Sequence, residues 1–224
     1  RPPQLRLVIT ALRSTYLVEG VDWNHIASAV EVLRPGEHAS FDNGYAGISA
    51  VVPVGNTLYG YYHAEDHENL PPLPGGIPGF YASIGLATST DGGHSWAKQG
   101  QVLTSSHPKT WQAYPDQGDR GAAEPGAVLT HDGSAILLYY TEHSRANGRA
   151  VDIGVARASL ADGPPGPGAF RKYYRGEFSE PAIGGRDTPV VTASEYPDAN
   201  ALEAHVAWSA AAQKYLMVVG IDAW

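Results

Sequence analysis

The chain has no cysteine. Thiol nucleophiles, disulfide staples and cysteine-zinc centres are therefore excluded, and thiol chemistry says nothing about the compartment. Charge is also scarce: 17% of the 224 residues are Asp, Glu, Lys or Arg, and the net charge is −8. Surfaces that bind nucleic acid or anionic membranes concentrate Lys and Arg against phosphates, so neither partner is expected; a neutral or cationic one fits better. No apolar run approaches the roughly 18 residues that a helix needs to cross a bilayer. The first residue is Arg1 rather than Met, as expected of a processed or trimmed terminus, and no signal peptide is visible.

What the chain has in quantity is punctuation, with 26 Gly and 17 Pro, too many for long helices. The segments between them are short and rich in Val, Ile and Tyr, which is the composition of strands. An all-β protein is expected, with strands at Ile48–Val54, Leu58–His63, Ser83–Ser89, Ala97–Thr104, Gly126–Thr130, Ala135–Thr141, Asp152–Ala158, Phe170–Tyr174, Pro189–Ala193, His205–Ala210 and Lys214–Ile221. Only Trp23–Leu33 has a helical alternative.

A weak internal repeat underlies these strands. AGISAVVPVGNTLYGYYHAEDH aligns with AAEPGAVLTHDGSAILLYYTEH and then with EAHVAWSAAAQKYLMVVGID. Each copy is an apolar strand, a polar turn and an aromatic-rich strand that ends in polar groups; in the first two, IGLATSTDG and IGVARASLADG follow as third strands. Four antiparallel strands repeating every 60 to 80 residues or so describe the blades of a β-propeller. A single propeller domain is expected over 1–224: an N-terminal segment with outer strands (1–44), blade one (45–106), blade two (120–178) and a partial blade three (187–224). The apolar run Lys214–Ile221 needs a strand beside it. Either Leu5–Leu12 closes against blade three, or the natural protein continues through about two more blades.

Antiparallel connections alternate between the two ends of a blade, so the loops sort onto two faces. Thr90-Asp91-Gly92-Gly93 joins strands three and four and falls on the face opposite the entry loops. Asp91 is therefore expected to brace its own turn while Trp96 packs between strands. The entry loops supply Asp42 and Asn43, then Asp119, Arg120 and Glu124, then Arg186, Asp187, Glu203 and His205. The loops after second strands add His63, Glu65, Asp66 and His67, then Glu142, His143 and Arg145. Such convergence suits glycoside hydrolysis, in which one carboxylic acid protonates the leaving oxygen and one carboxylate activates water or attacks the anomeric carbon. His63 and His67 have the spacing of a helical metal pair but end a strand, so no metal site is expected. The loop Leu70–Gly76 is placed to wall a cleft.

SxDGGxxW at Ser89–Trp96 resembles the Asp box of sialidases and related propellers. The fuller pattern, SFDNG, an apolar strand, LYGYYHAE, then IGLATSTDGGHSW, is more similar to the five-bladed glycoside hydrolases: arabinanase, β-xylosidase and invertase-like families and related endo-D-arabinanases. The resemblance covers about 40–224. It implies carboxylates on the first strands of successive blades: a base, a pKa-tuning group and an acid. Glu124-Pro125 matches the carboxylate-Pro pattern of blade two, and Glu203 stands where the acid falls. The base position of blade one reads Gly47-Ile48-Ser49, a departure for which Asp42 is the nearest substitute.

The expected catalytic set is thus Asp42, Glu124 and Glu203. His63, Glu65, Asp66, His67, Arg120, Glu142, His143, Asp187 and His205 are expected to contact an oligo- or polysaccharide, with Glu65, Asp66 and Glu124 bordering one pocket. No cofactor is expected, with room left for a structural calcium ion. The family resemblance implies an extracellular or periplasmic hydrolase acting on a furanoside or related neutral polysaccharide. The competing readings are a non-catalytic carbohydrate-binding propeller and a sialidase-like hydrolase.

Overall fold

The computed structural model describes residues 5–72, 76, 78–109, 120–143, 151–192 and 200–222. They form four antiparallel sheets. The first has β1 (Leu5–Ala11), β2 (Ser14–Asp22) and β3 (His25–Leu33), with β2 central. The second runs in order through β4 (Tyr45–Val54), β5 (Thr57–Asp66), β6 (Tyr81–Ser89) and β7 (Ala97–Leu103). The third repeats that meander with β8 (Ala122–Leu129), β9 (Ala135–Glu142), β10 (Asp152–Ser159) and β11 (Arg171–Tyr174), and adds β12 (Glu177–Pro181). The fourth pairs β13 (Asn200–Ser209) with β14 (Lys214–Asp222).

The all-β expectation holds for the described residues, and most strands start or end a few residues beyond their expected bounds. Three local expectations are corrected. The helical alternative for Trp23–Leu33 fails because His25–Leu33 is hydrogen-bonded along β2. Pro189–Ala193 is not a strand: Val191 makes a single bridge to Ile153, and Ala193 lies outside the described residues. A proline at its head has no N–H to give a ladder. Leu5–Leu12 does not close against β13 or β14; β1 pairs with β2 and packs on β4. Among the described residues β14 has β13 alone as its strand partner. Strands β2 and β12 had no counterpart in the pattern reading.

The sheets pack face to face in chain order, and the contacts reveal their register. Strand β8 packs on β4, β5 and β6, the first three strands of the preceding sheet, and β13 packs on β8, β9 and β10 in the same way. Strand β4 packs on β1 and β2. By this equivalence β1 and β2 take the second and third places of a blade. Backbone hydrogen bonds stitch each seam at its entry end: Ala46 N–H to Arg13 O, Ala82 N–H to Arg120 O, and Ala201 N–H to Val151 O, at 3.0, 2.7 and 3.1 Å.

Sandwiching explains why third strands are apolar on both sides; β6 is buried at eight of its nine positions. Leu33, Ala46, Ile48 and Tyr62 fill the seam between sheets one and two. Tyr61, Ile84, Leu138, Tyr140 and Phe170 belong to the larger core between sheets two and three. Two polar clusters recur within these seams. Lys98 lies over the Tyr62 ring and Lys172 over the Tyr140 ring, with Nζ 5.9 and 5.3 Å from the centroids. The fully buried Lys172 ammonium donates to the carbonyls of Thr104 and Gly185. Burial pushes its pKa down against the pull of Glu142 and Asp187.

Candidate active site

Two first strands are interrupted at the same place. The β8–β9 register shifts between Ala123 and Gly126, and the β13–β14 register between Leu202 and His205. Glu124 and Glu203 occupy these bulges, each with φ of 53°. A non-glycine residue in the left-handed region costs on the order of 1–3 kcal/mol and persists only when its surroundings enforce it. The enforcement is the same in both cases. The Glu124 N–H donates to His63 Nδ1 at 3.3 Å, and the Glu203 N–H donates to Thr141 Oγ1 at 3.0 Å. His63 and Thr141 hold equivalent positions near the ends of second strands, so each sheet props the bulge of the next.

Close approach completes the construction. A Cβ on Gly126 would lie 1.9 Å from the Ala204 carbonyl oxygen, so only glycine lets β13 come this near β8. The counterpart of Glu124 in β4 is Ile48: Gly47 pairs with His63 as Ala123 pairs with Thr141, and the β4–β5 register shifts between Ile48 and Ala50. The Ile48 N–H donates to Thr15 Oγ1 at 2.9 Å, a prop of the same kind. The first-strand carboxylate of blade one is therefore absent, and the buried Ile48 side chain stands in its place.

Glu124 is partly buried, and burial alone would raise its pKa. His143, whose Nε2 is 3.5 Å from Oε1, outweighs this together with Thr141 and His63, so the pKa lies below its ordinary value. Glu65 is the hub of the neighbouring group: Oε1 meets His63 Nε2 at 3.1 Å and Oε2 meets His67 Nε2 at 2.5 Å. Its burial is likewise outweighed by the two imidazoles, and its pKa is lowered. Tyr45 stands edge-on to His63 at 5.3 Å, its phenol pKa raised by burial and by the Glu65 charge. Glu65, His63, Glu124, His143, Thr141 and the Glu203 backbone thus form one connected polar cluster at the entry end of three successive sheets.

Several expected residues lie elsewhere. Asp42 is 2% exposed, with Oδ2 bound by Lys98 Nζ at 2.5 Å and by the Tyr62 hydroxyl at 3.0 Å, and Oδ1 by Ser40 at 2.9 Å. It pairs with Lys98 and does not substitute for the missing carboxylate. Asp187 lies beside Tyr140 and Lys172 in the corresponding seam, while Arg186 turns to Glu180 at 2.7 Å. Glu142 is buried on the Tyr140 face of β9, opposite Asp152. Asp66 follows Glu65 on β5 and so faces the other way. It binds Lys109 at 2.7 Å and Asn43 at 2.8 Å and lines a separate cavity of about 310 Å³ with Phe41, Tyr81 and Gln101. The expected pocket shared by Glu65, Asp66 and Glu124 is therefore corrected: His63 joins the first and third, and Asp66 is turned away.

His205 is exposed on β13 opposite Val218, and Arg120 contributes its carbonyl to the seam with Ala82. Asp119 and Arg145 lie outside the described residues, as does part of the Leu70–Gly76 loop. Asp91 sits in the β6–β7 turn, at the end of the sheet remote from Glu65, where it binds Ser89, the Ser95 hydroxyl and the Ser95 N–H. Those hydrogen bonds, with Ser95 foremost, hold its pKa far below the usual carboxylate range. Thr141 and Tyr45 were not anticipated as site residues, although aligning YYT with YYH places Thr141 where His63 stands. Among the described residues, no group of three or more His, Asp or Glu side chains is arranged to hold a metal ion.

No protein-family model and no curated protein sequence matches the chain. Solved structures do resemble it. A family 117 glycoside hydrolase from the marine bacterium Zobellia galactanivorans superposes with a TM-score of 0.53 at 17% identity, over 92% of this chain and 52% of that one. An α-L-arabinofuranosidase from Lactobacillus brevis gives 0.55 at 11% identity, over 94% and 56%. The chain spans about half the length of either. At these identities the likeness is one of fold: the sheets of this chain are arranged as in glycoside hydrolases of propeller type.

Proposed function

We propose that this chain carries the entry-face machinery of a five-bladed propeller glycoside hydrolase acting on a furanoside-containing or related neutral polysaccharide. Glu124 is the base or nucleophile, and Glu203 is the general acid. The observation that carries the reading is the pair of matching bulges: two carboxylates in successive sheets, both in a strained backbone conformation, both held by a side chain of the sheet before, and linked through Thr141. Strain of this kind collects where function requires it. The lowered pKa of Glu124 keeps it ionised at neutral pH, as a base or nucleophile must be, and His143 beside it supplies that bias. Glu203 is exposed on the next sheet, free to reach a glycosidic oxygen. In the proposed reaction Glu203 delivers its proton to the leaving oxygen while Glu124 activates water or attacks the anomeric carbon. The fold likeness to glycoside hydrolases supports the reaction class.

Isoleucine at 48, where the first strand of blade one would carry its carboxylate, favours one second reading, a carbohydrate-binding propeller without turnover. A panel of polysaccharides incubated with the full-length protein separates the two. The proposal expects reducing ends from at least one substrate, lost in both Glu124→Gln and Glu203→Gln while substrate binding survives. Binding without release of reducing ends by the wild type would establish the second reading, and undiminished turnover by either variant would overturn the assignment of roles.

A further inference from the structure

His63 lies between two carboxylate residues and touches them in different ways. A backbone N–H can only donate, so the 3.3 Å approach of the Glu124 N–H requires Nδ1 to present its lone pair. The single ring proton is then on Nε2, which faces Glu65 Oε1 at 3.1 Å. Glu65 cannot swing away, because His67 holds its other oxygen and the His67 N–H is itself bound to Asn43 Oδ1 at 3.0 Å. Tyr45 of β4 stands edge-on to the ring and Phe80 closes the remaining side at 6.5 Å. The neighbours thus determine both the tautomer and the orientation of this imidazole.

We propose that His63 is a positioning residue whose unprotonated Nδ1 holds Glu124 in its left-handed bulge, and that a second proton on this ring releases it. The inference rests on Glu124 being the reactive carboxylate only for its consequence on turnover. Thr141 performs the same task for Glu203 with a hydroxyl, which shows that the position needs an acceptor rather than an imidazole. Of the two props only the imidazole has a second ring nitrogen that can take up a proton. When Nδ1 gains a proton, two N–H groups oppose one another, the prop is lost, and nothing offsets the cost of φ at 53°. The charges around the ring are Glu65 on β5 with His67 just beyond its end, the Tyr45 phenol on β4, and Glu124 with His143 beyond it on the β8–β9 side.

Asn places an oxygen where Nδ1 stands and does not titrate; Leu has a similar shape and accepts nothing. In the full chain, 15N spectra of the imidazoles are expected to show His63 as the Nε2–H tautomer at neutral pH. The Glu124 amide resonance should shift with the same midpoint as the His63 ring. In His63→Asn that amide should stay unmoved across the range, and in His63→Leu it should sit at its acid-form position throughout. On an active substrate, His63→Leu should lose about a hundredfold in kcat, the scale of an ångström misplacement of a reacting group, with KM little changed. His63→Asn should retain most of the activity with its acid limb moved to lower pH. An Nδ1–H tautomer, or a Glu124 amide indifferent to His63 titration, would overturn the proposal. Because the spectra need no turnover, they test the prop even if Glu124→Gln proves fully active and the catalytic reading fails.

Discussion

Replacing Gly126 by Ala tests how the two carboxylates are brought together. The added Cβ would sit 1.9 Å from the Ala204 carbonyl oxygen, and ordinary contacts begin at 3.4 Å, so β8 and β13 must separate by about 1.5 Å. Both partners are backbone, so no side-chain rotation relieves the clash. The seam that opens contains Ile153, Ala201 and Ala204, and it carries the Glu203 N–H bond to Thr141. Overpacking of a tight core costs about 1–3 kcal/mol, and the lost hydrogen bond adds about 0.5–1.5 kcal/mol. A total of about 2–4 kcal/mol lowers Tm by roughly 4–16 °C for a chain of this size. The control is Gly166→Ala, where a Cβ meets nothing within 4 Å and Tm should hold or rise slightly. Thermal unfolding by circular dichroism gives Tm, and hydrogen exchange of the Glu203 amide reports the seam. A Gly126→Ala variant that melts within a degree of wild type, its Glu203 amide still protected, would refute the reasoning.

Two further outcomes are expected. Thr141→Val keeps the shape of a fully buried side chain but removes the acceptor for Glu203; it should cost about 1 kcal/mol in urea denaturation and abolish turnover, while Thr141→Ser restores both. Acid should destabilise the protein through Glu65 and Glu124, whose folded pKa values lie below their unfolded ones. Their contribution is complete above the unfolded value, about 4.3, and is lost as pH falls through the folded values. Urea midpoints measured between pH 7 and pH 3 should therefore fall at the acid end, less steeply in Glu65→Gln, and a midpoint flat across that range would count against the paired geometry of Glu65 with His63 and His67.

The strand content, the repeat and the structural role of Asp91 were legible in the sequence because each is local. Alternation, glycine-bearing turns and an aspartate two residues beyond a serine act within a few residues of chain, and short-range hydrogen bonds realise them. The family resemblance also placed Glu124 and Glu203 on the first strands of successive blades without coordinates. Pattern could not say which polar residues share a space. Asp42 and Glu124 look equally poised ahead of apolar strands, yet one is spent on Lys98 and Tyr62 and the other stands in a strained bulge. Glu65 and Asp66 are adjacent letters, and strand alternation sends them to opposite faces of β5. The props themselves cross between sheets, His63 to Glu124 over 61 residues and Thr141 to Glu203 over 62, so they exist only once neighbouring sheets pack. Local sequence determined what the strands are; the close approach of one first strand to the next, permitted at Gly126, decided which carboxylates meet.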